Sequence, residues 1–245
     1  VASSTALQLR QSGFSPKVVK SLEKSYIGKD FESGRVSFLR SLAKSLIPQK
    51  LDSLKESKIF YIIGASGSGR TTLAAKLAAL LADKANSNSI NLSEFQNGTG
   101  LISDSLRSYA RLLNIKTSII ENDKAPKFAN GSQKLIVDVS GDLCQSFKSI
   151  EASKKLYGNN NVNVILTVPG GSSNRLIGML NRSCEDIKPI IALSKLDECE
   201  IGPEEFSKLA ELNSKIGIIT GTNDIVGSLA LASENVLTQY LKENC

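Results

Sequence analysis

The sequence predicts an α/β fold: a doubly wound, mostly parallel sheet preceded by a small helical bundle. Three observations lead there. Segments of strand length alternate with segments of helical periodicity from residue 59 onward, the pattern of parallel strands joined by crossover helices. The first 57 residues carry helical spacing alone. A glycine-rich turn joins the first strand directly to a helix, where backbone amides can form a cup for an anion. The expected division is residues 1–57 for the helical bundle and 58–245 for the sheet domain.

In the bundle, Leu7, Leu9, Phe14, Val18, Val19 and Leu22 recur at helical intervals. Gly13-Phe14-Ser15-Pro16 stops one helix and opens the next with a serine cap followed by proline. Phe38, Leu39, Leu42, Ala43 and Leu46 mark a further helix that Pro48 ends, and the charged stretch 50–58 forms the joint. Ile59-Phe60-Tyr61-Ile62-Ile63 is a continuous apolar run, as expected of a strand buried on both faces. Residues 73–84, rich in Ala, Leu and Lys, read as a strong helix. Further strands are predicted at 115–120, 134–139, 162–168, 189–193 and 215–220. The intervening helices are predicted at 101–113, 143–155, 173–180, 204–212 and 233–241.

Composition narrows the function classes. Of 245 residues, 41% are apolar, enough for a sizeable core, and none is histidine. That absence excludes Ser-His-Asp hydrolases, Cys-His proteases and zinc sites with histidine ligands. With no tryptophan and 5% aromatics, a base-stacking platform for single strands is not expected. Thirty Lys and Arg against 24 Asp and Glu leave +6. This balance suits contact with phosphates or an anionic membrane surface, but no basic stripe or recognition helix points to DNA. No stretch of 18 uncharged apolar residues is present, so no membrane-spanning helix is expected. Cys144, Cys184, Cys199 and Cys245 lack the two-residue spacing of metal or redox motifs and read as reduced thiols of a cytosolic protein. Cys144 and Cys199 are expected to be small buried or half-buried residues, and Lys154 and Lys155 to sit on solvated faces. The start at Val1 rather than Met, without a signal peptide, fits a piece of a longer protein.

Three motifs carry chemistry. The first is Gly64-Ala65-Ser66-Gly67-Ser68-Gly69-Arg70-Thr71-Thr72. Glycines let successive N–H groups turn inward without Cβ clashes, the following helix adds partial positive charge, and the Thr71 hydroxyl suits Mg²⁺. These are P-loop positions, except that Arg70 replaces the usual lysine; its planar fork binds phosphate but is not a compact point charge. The second is Asp138-Val139-Ser140-Gly141-Asp142. An acidic residue closing a buried strand before a glycine is where a P-loop nucleoside triphosphatase places its Mg²⁺-linked Asp138 and phosphate-sensing Gly141. The third is Ser194-Lys195-Leu196-Asp197-Glu198. A carboxylate at a strand tip can accept both N1–H and N2–H of guanine, a pair adenine does not offer, while the Lys195 stem lies along the base. Three motifs in this order, each at a strand end, predict a guanine-nucleotide fold.

On these residues the sequence resembles the signal recognition particle family of GTPases, in which a helical bundle packs on a P-loop G domain. The run from Gly64 to Lys76 is similar to the family's Gly-x-x-Gly-x-Gly-Lys-Thr-Thr-x-x-x-Lys, and 106–113 to the helix after its second motif. The Asp197-Glu198 pair and Gly13-Phe14-Ser15-Pro16 resemble its flagellar branch. The resemblance implies GTP/GDP and Mg²⁺ as cofactors, with Thr71 and Asp138 toward the metal. It adds Gly221 and Thr222, in the fifth motif, to the nucleotide-binding set of 64–72, Gly141, Ser194, Lys195 and Asp197. As partners it implies a second copy or a related protein of the family, and as location the cytoplasm with peripheral contact at the inner membrane.

The departures fall where hydrolysis would be assembled. The family's Asp-Thr-x-Arg motif belongs near 94–100, where this chain has Glu94-Phe95-Gln96-Asn97-Gly98-Thr99-Gly100. Asp142 stands for an arginine, Arg70 for the P-loop lysine, and Gly221-Thr222-Asn223 where Gly-Gln is common. Phosphoryl transfer rests on positioning and electrostatic stabilisation, so the expectation is weakened or lost GTP hydrolysis in a flagellar assembly or targeting factor. Two alternatives stay open: an active GTPase that works as a dimer, and an unrelated P-loop ATPase or kinase.

Overall fold

The computed structural model describes residues 2–49, 56–82, 89–96, 100–120, 124–128, 133–140, 143–221, 224–225 and 227–245. Helices α1 (Ala2–Gln11), α2 (Pro16–Ser21) and α3 (Phe31–Leu46) come first. They start where their caps dictate. The Ser15 hydroxyl accepts the Val18 N–H at 3.3 Å and Pro16 follows it; the Asp30 carboxylate accepts the Ser33 N–H at 3.0 Å. Each cap supplies a partner to an N–H that has no helical carbonyl. Leu7 does not join the core as its spacing suggested: it is 56% exposed, whereas Leu9 is buried.

The remainder alternates strand and helix: β1 (Ile59–Gly64), α4 (Arg70–Ala82), β2 (Ile90–Phe95), α5 (Asp104–Leu113), β3 (Lys116–Ile120) and β4 (Lys134–Val139). Then come α6 (Leu143–Tyr157), β5 (Val162–Pro169), α7 (Asn174–Ser183), β6 (Ile190–Ser194), α8 (Pro203–Glu211), β7 (Lys215–Thr220), β8 (Leu229–Leu231) and α9 (Glu234–Asn244). The sheet runs β3-β2-β4-β1-β5-β6-β7-β8, parallel throughout except for β8 against β7. Two strands escaped the sequence reading. β2 is interrupted by Asn91, Ser93 and Glu94, and β8 is three residues long. Helix α5 begins at Asp104 rather than 101, after Ser103, whose N–H is taken by Glu94.

Alternate residues of β1 point to opposite faces of the sheet. Ile59, Tyr61 and Ile63 join the core formed with α1–α3 and α6–α9, where Phe14, Phe38, Phe206 and Leu237 are buried. Phe60 and Ile62 face α4 and α5 through Leu73, Leu77, Leu106 and Ala110. A strand covered on both sides needs apolar residues without alternation, which is why its run is continuous. The Phe14 and Phe38 rings meet edge to face at 4.9 Å, and α3 packs on α9, so the N-terminal helices share one apolar core with the sheet's near face.

β1 sits between β4 and β5, so the connections leaving this part of the sheet go opposite ways. The carboxyl ends of the parallel strands open a crevice there, the usual ligand position in such sheets. The glycine turn lies in that crevice.

Candidate functional site

The turn from Gly64 to Gly69 is shaped by what surrounds it. A Cβ on Gly64 would stand 2.1 Å from Thr167 Oγ1, so β5 leaves no room for any other residue. Gly67 and Gly69 have φ of 75° and 86°, a region costly to residues with a Cβ; the space beside Gly67 is open. Three hydroxyl contacts hold the turn to its neighbours. Ser68 Oγ lies 2.5 Å from Thr167 Oγ1, Thr167 Oγ1 donates to the Ile63 carbonyl at 3.0 Å, and Ser194 Oγ donates to the Ser68 carbonyl at 2.8 Å. Helix α4 begins at once, its first bond running from Leu73 N–H to the Gly69 carbonyl at 2.8 Å. The N–H groups of its first turn have no helical acceptor behind them, and the helix dipole adds positive potential there.

Thr71 Oγ1 donates to Asp138 Oδ2 at 2.5 Å. The structure thus brings the two candidate metal ligands, 67 residues apart in sequence, into contact. Asp138 is buried between β2 and β1, and its Oδ1 has no hydrogen-bond partner among the described residues. Burial pushes its carboxyl above the ordinary carboxylate range, against the Thr71 hydrogen bond and the Arg70 charge; Glu94 pushes it further up. A buried oxygen without a donor beside a threonine hydroxyl fits a hard, oxygen-seeking cation that retains water and phosphate ligands.

Arg70 does something the sequence did not suggest. Its Nη1 donates to the Val139 carbonyl at the end of β4, so the guanidinium is engaged with the main chain beside the cup. Ser66 is exposed and Ala65 accepts the Ser68 N–H at 3.2 Å, both on the outer part of the turn. Thr72 faces Tyr109 OH at 3.4 Å and lines a neighbouring cavity.

That cavity, about 210 Å³, is lined by Gly69, Thr72, Lys76, Ser194, Asp197 and Thr220 among others. Lys195 adopts φ 54° and its Nζ lies 3.2 Å from Glu198. Ser194 is buried, and its hydroxyl straps the glycine turn through the Ser68 carbonyl. Gly221 is required by close approach, since a Cβ there would stand 2.8 Å from Leu196 Cβ. Gly141 and Thr222 lie outside the described residues, as do Asn97 to Thr99, Asp142 and Asn223.

No model of a protein family matches the chain. Over 220 residues it is 25% identical to the flagellar biosynthesis protein FlhF of Campylobacter jejuni, a match covering 84% of this chain and 44% of that protein. The chain is homologous to FlhF. It spans less than half the length of that relative. Among solved structures, it superposes on FlhF complexed with GTP and Mg²⁺ with a TM-score of 0.71 at 17% identity, covering 98% of both chains. The chloroplast FtsY of Physcomitrella patens matches with a TM-score of 0.70 at 17% identity, over 98% of this chain and 86% of that one. These structural matches establish the fold, the P-loop α/β fold of FlhF and FtsY, as the motifs and the helical N-terminus led one to expect.

Several residues of the site were not legible in the sequence. Thr167, which shapes the cup, follows four apolar residues of eight in β5 and looks like ordinary strand filling. In the sequence Lys76 stands only as the last residue of the Gly64–Lys76 run. Glu94, in the stretch that aligns with the family's Asp-Thr-x-Arg motif, is 2% exposed, sits in register with Asp138 on the adjacent strand, and accepts the Ser103 N–H at 2.7 Å. Gly170 and Gly171 pack against Cys199: a Cβ on Gly170 would stand 1.7 Å from the Cys199 carbonyl oxygen. Cys199 itself is exposed, not buried as expected, and the side chain of Cys144 lies outside the description. Lys154 is half-buried with its Nζ 3.5 Å from the Ile187 carbonyl, so its face is not the solvated one expected. Among the described residues no helix is long and apolar enough to cross a membrane.

Proposed function

We propose that this chain binds guanine nucleotide with Mg²⁺ in the crevice at the carboxyl ends of its strands, and hydrolyses GTP weakly or not at all. The observation that carries the binding half is the contact of Thr71 with Asp138 directly below the glycine cup, with Asp197 on the adjoining cavity. In this reading the 64–72 turn holds the phosphates, with Gly141 beside them. Thr71 and Asp138 hold the metal, directly or through its water, and Asp197 with Lys195 reads the base, flanked by Ser194, Gly221 and Thr222. The metal's chemistry would be charge neutralisation on the phosphates. A relative of similar fold is described as complexed with GTP and Mg²⁺, which supports the same ligand here.

The catalytic half rests on charge. The Arg70 guanidinium bonds to Val139, the 94–100 stretch contains no Arg or Lys, and Asp142 adds an acid. Fewer cations near the terminal phosphate means less stabilisation of the charge that develops during transfer. The role that follows is a nucleotide-biased assembly or targeting factor. The relationship to FlhF supports a flagellar setting, with a second copy or a related GTPase as partner and peripheral contact with the inner membrane.

A titration of fluorescent GTP with Mg²⁺ tests binding; no saturable signal up to millimolar nucleotide would overturn it. Asp197→Asn should weaken GTP and admit the xanthine nucleotide, because an amide donates to the 2-oxo group where the carboxylate accepted from the 2-amino group. The intact Thr71–Asp138 pair favours a second reading, an active GTPase assembled in a dimer. Phosphate release that rises with the square of protein concentration would establish it in place of the first.

A further inference from the structure

Two strands end the sheet. β8 is three residues long, whereas β3 runs for five and has β2 as its sheet neighbour. The Ile120 carbonyl accepts the Gln96 N–H at 3.3 Å, and Ile120 stands opposite Phe95. Along a parallel strand, residues that bond to one neighbour alternate with residues that face away from it. Thr117 and Ile119 therefore turn both N–H and carbonyl toward the open edge, where neither meets a partner among the described residues. Such a row of main-chain groups is a template for another extended chain.

The surroundings of this edge are positive at both ends. At its start a cavity of about 340 Å³ is lined by Arg107, Arg111, Lys116 and Thr117. At its end one of about 260 Å³ is lined by Ser118, Ile119, Lys124 and Lys127. Arg107 donates to the Ile102 carbonyl at 2.8 Å and lies 3.6 Å from Asp104. Arg111, Lys116, Lys124 and Lys127 are exposed and have no ion-pair partner among the described residues. In sequence, residues 107–128 hold five Lys and Arg against Glu121 and Asp123, half of the chain's net +6. A lysine on an edge strand keeps two copies of that edge apart by repulsion. The same cations attract an acidic strand.

We propose that β3 is a docking edge for an extended acidic segment of a partner protein, which joins the sheet as a strand beyond β3. The main chain of Thr117 and Ile119 holds the backbone of that segment, and the cations at the two ends select its carboxylates. None of these residues belongs to the nucleotide crevice, and docking here requires no nucleotide.

The probe is a fluorescent peptide of alternating Glu and Val, about nine residues long so that it overruns β3 at both ends. Titrated with the full chain and followed by anisotropy, it should bind saturably, and at least about tenfold more weakly when salt rises from about 0.05 M to about 0.5 M. The double variant Arg111→Glu/Lys116→Glu sets like charge against the peptide and should weaken binding at least about tenfold. Ile119→Pro removes one outward N–H, leaves the bonds to β2 in place and should weaken binding about fivefold. If that variant does not fold, a peptide of equal charge with every amide N-methylated puts the same question to the parent chain and should lose as much. No saturable signal up to millimolar peptide, equal binding of the N-methylated peptide, or undiminished binding by the charge-reversed variant would overturn the docking edge. Displacement of the peptide by poly(U) at lower concentration would overturn it in favour of a single-stranded RNA surface. A dimer in sedimentation equilibrium that Ile119→Pro abolishes would overturn it in favour of pairing between copies.

Discussion

Arg70 shows how one side chain can alter a site without disturbing its backbone. The long fork reaches the Val139 carbonyl, where a lysine would present a single compact charge. Arg70 is not the sole departure, since 94–100 also lacks a cation. Arg70→Lys is therefore expected to leave single-turnover phosphate release within about threefold of the parent. A rise of several orders of magnitude would show that this residue alone limits the chemistry. Asp138 supplies a stability prediction. Its folded carboxyl lies above the ordinary range because of burial, so the folded state binds the proton more tightly than the unfolded chain. Without nucleotide or Mg²⁺, stability should fall as pH rises from the ordinary carboxylate range through that raised value. Asp138→Asn should flatten this part of the profile, raise Tm at neutral pH and remove the Mg²⁺ dependence of nucleotide affinity; thermal melts across about pH 4 to pH 8 read the first two. The residue types at Thr71, Asp138 and Asp197 were legible because their motifs are local. Thr167 and Lys76 were not, because their meaning depends on neighbours 99 and 144 residues away.

At the scale of elements, the glycine turn is held by contacts to β5 and β6 rather than by its own sequence. Gly64→Ala drives a methyl group to 2.1 Å from Thr167 Oγ1, so the turn or the strand must shift. We expect a loss of about 1–3 kcal/mol in urea unfolding, typical of an overpacked site, and a weakened nucleotide titration. Unchanged affinity would mean that the turn does not set the cup. The strands missed in the sequence teach the same lesson. In β2, Asn91, Ser93 and Glu94 interrupt the apolar run, and only lateral partners make them acceptable in a buried strand. Ser93 Oγ meets Ser118 Oγ at 2.6 Å, and Glu94 takes the Ser103 amide. Hydrophobic periodicity does not register a polar residue whose partner lies on another strand. The helices were easier, since their caps are local: Ser15, Ser173 and Ser233 each accept an N–H from the first turn they precede.

At the scale of the whole molecule, the N-terminal helices are bound into the sheet's core. Phe38 is fully buried among Phe14, Tyr26 and the helices of the near face. Phe38→Ala should cost about 3–5 kcal/mol through lost contacts and a cavity. The loss should appear in one cooperative urea transition that also removes nucleotide binding; two separate transitions would show that bundle and sheet fold independently. The exposed Arg40–Glu234 pair at 3.8 Å joins α3 to α9 but adds little, because solvent screens it.

The sequence by itself determined the α/β class, the order of most elements, the cup-forming glycines and the chemistry available at three strand ends, because each is written in spacing within a few residues. Only the tertiary structure decided that Arg70 bonds to Val139, that Thr71 touches Asp138, whose other oxygen has no partner among the described residues, and that Lys76 enters the wall of the Asp197 cavity. The physical reason is reach. A hydrogen bond depends on tenths of an ångström between groups that the chain brings together from opposite ends of a sheet, and no local pattern encodes that distance.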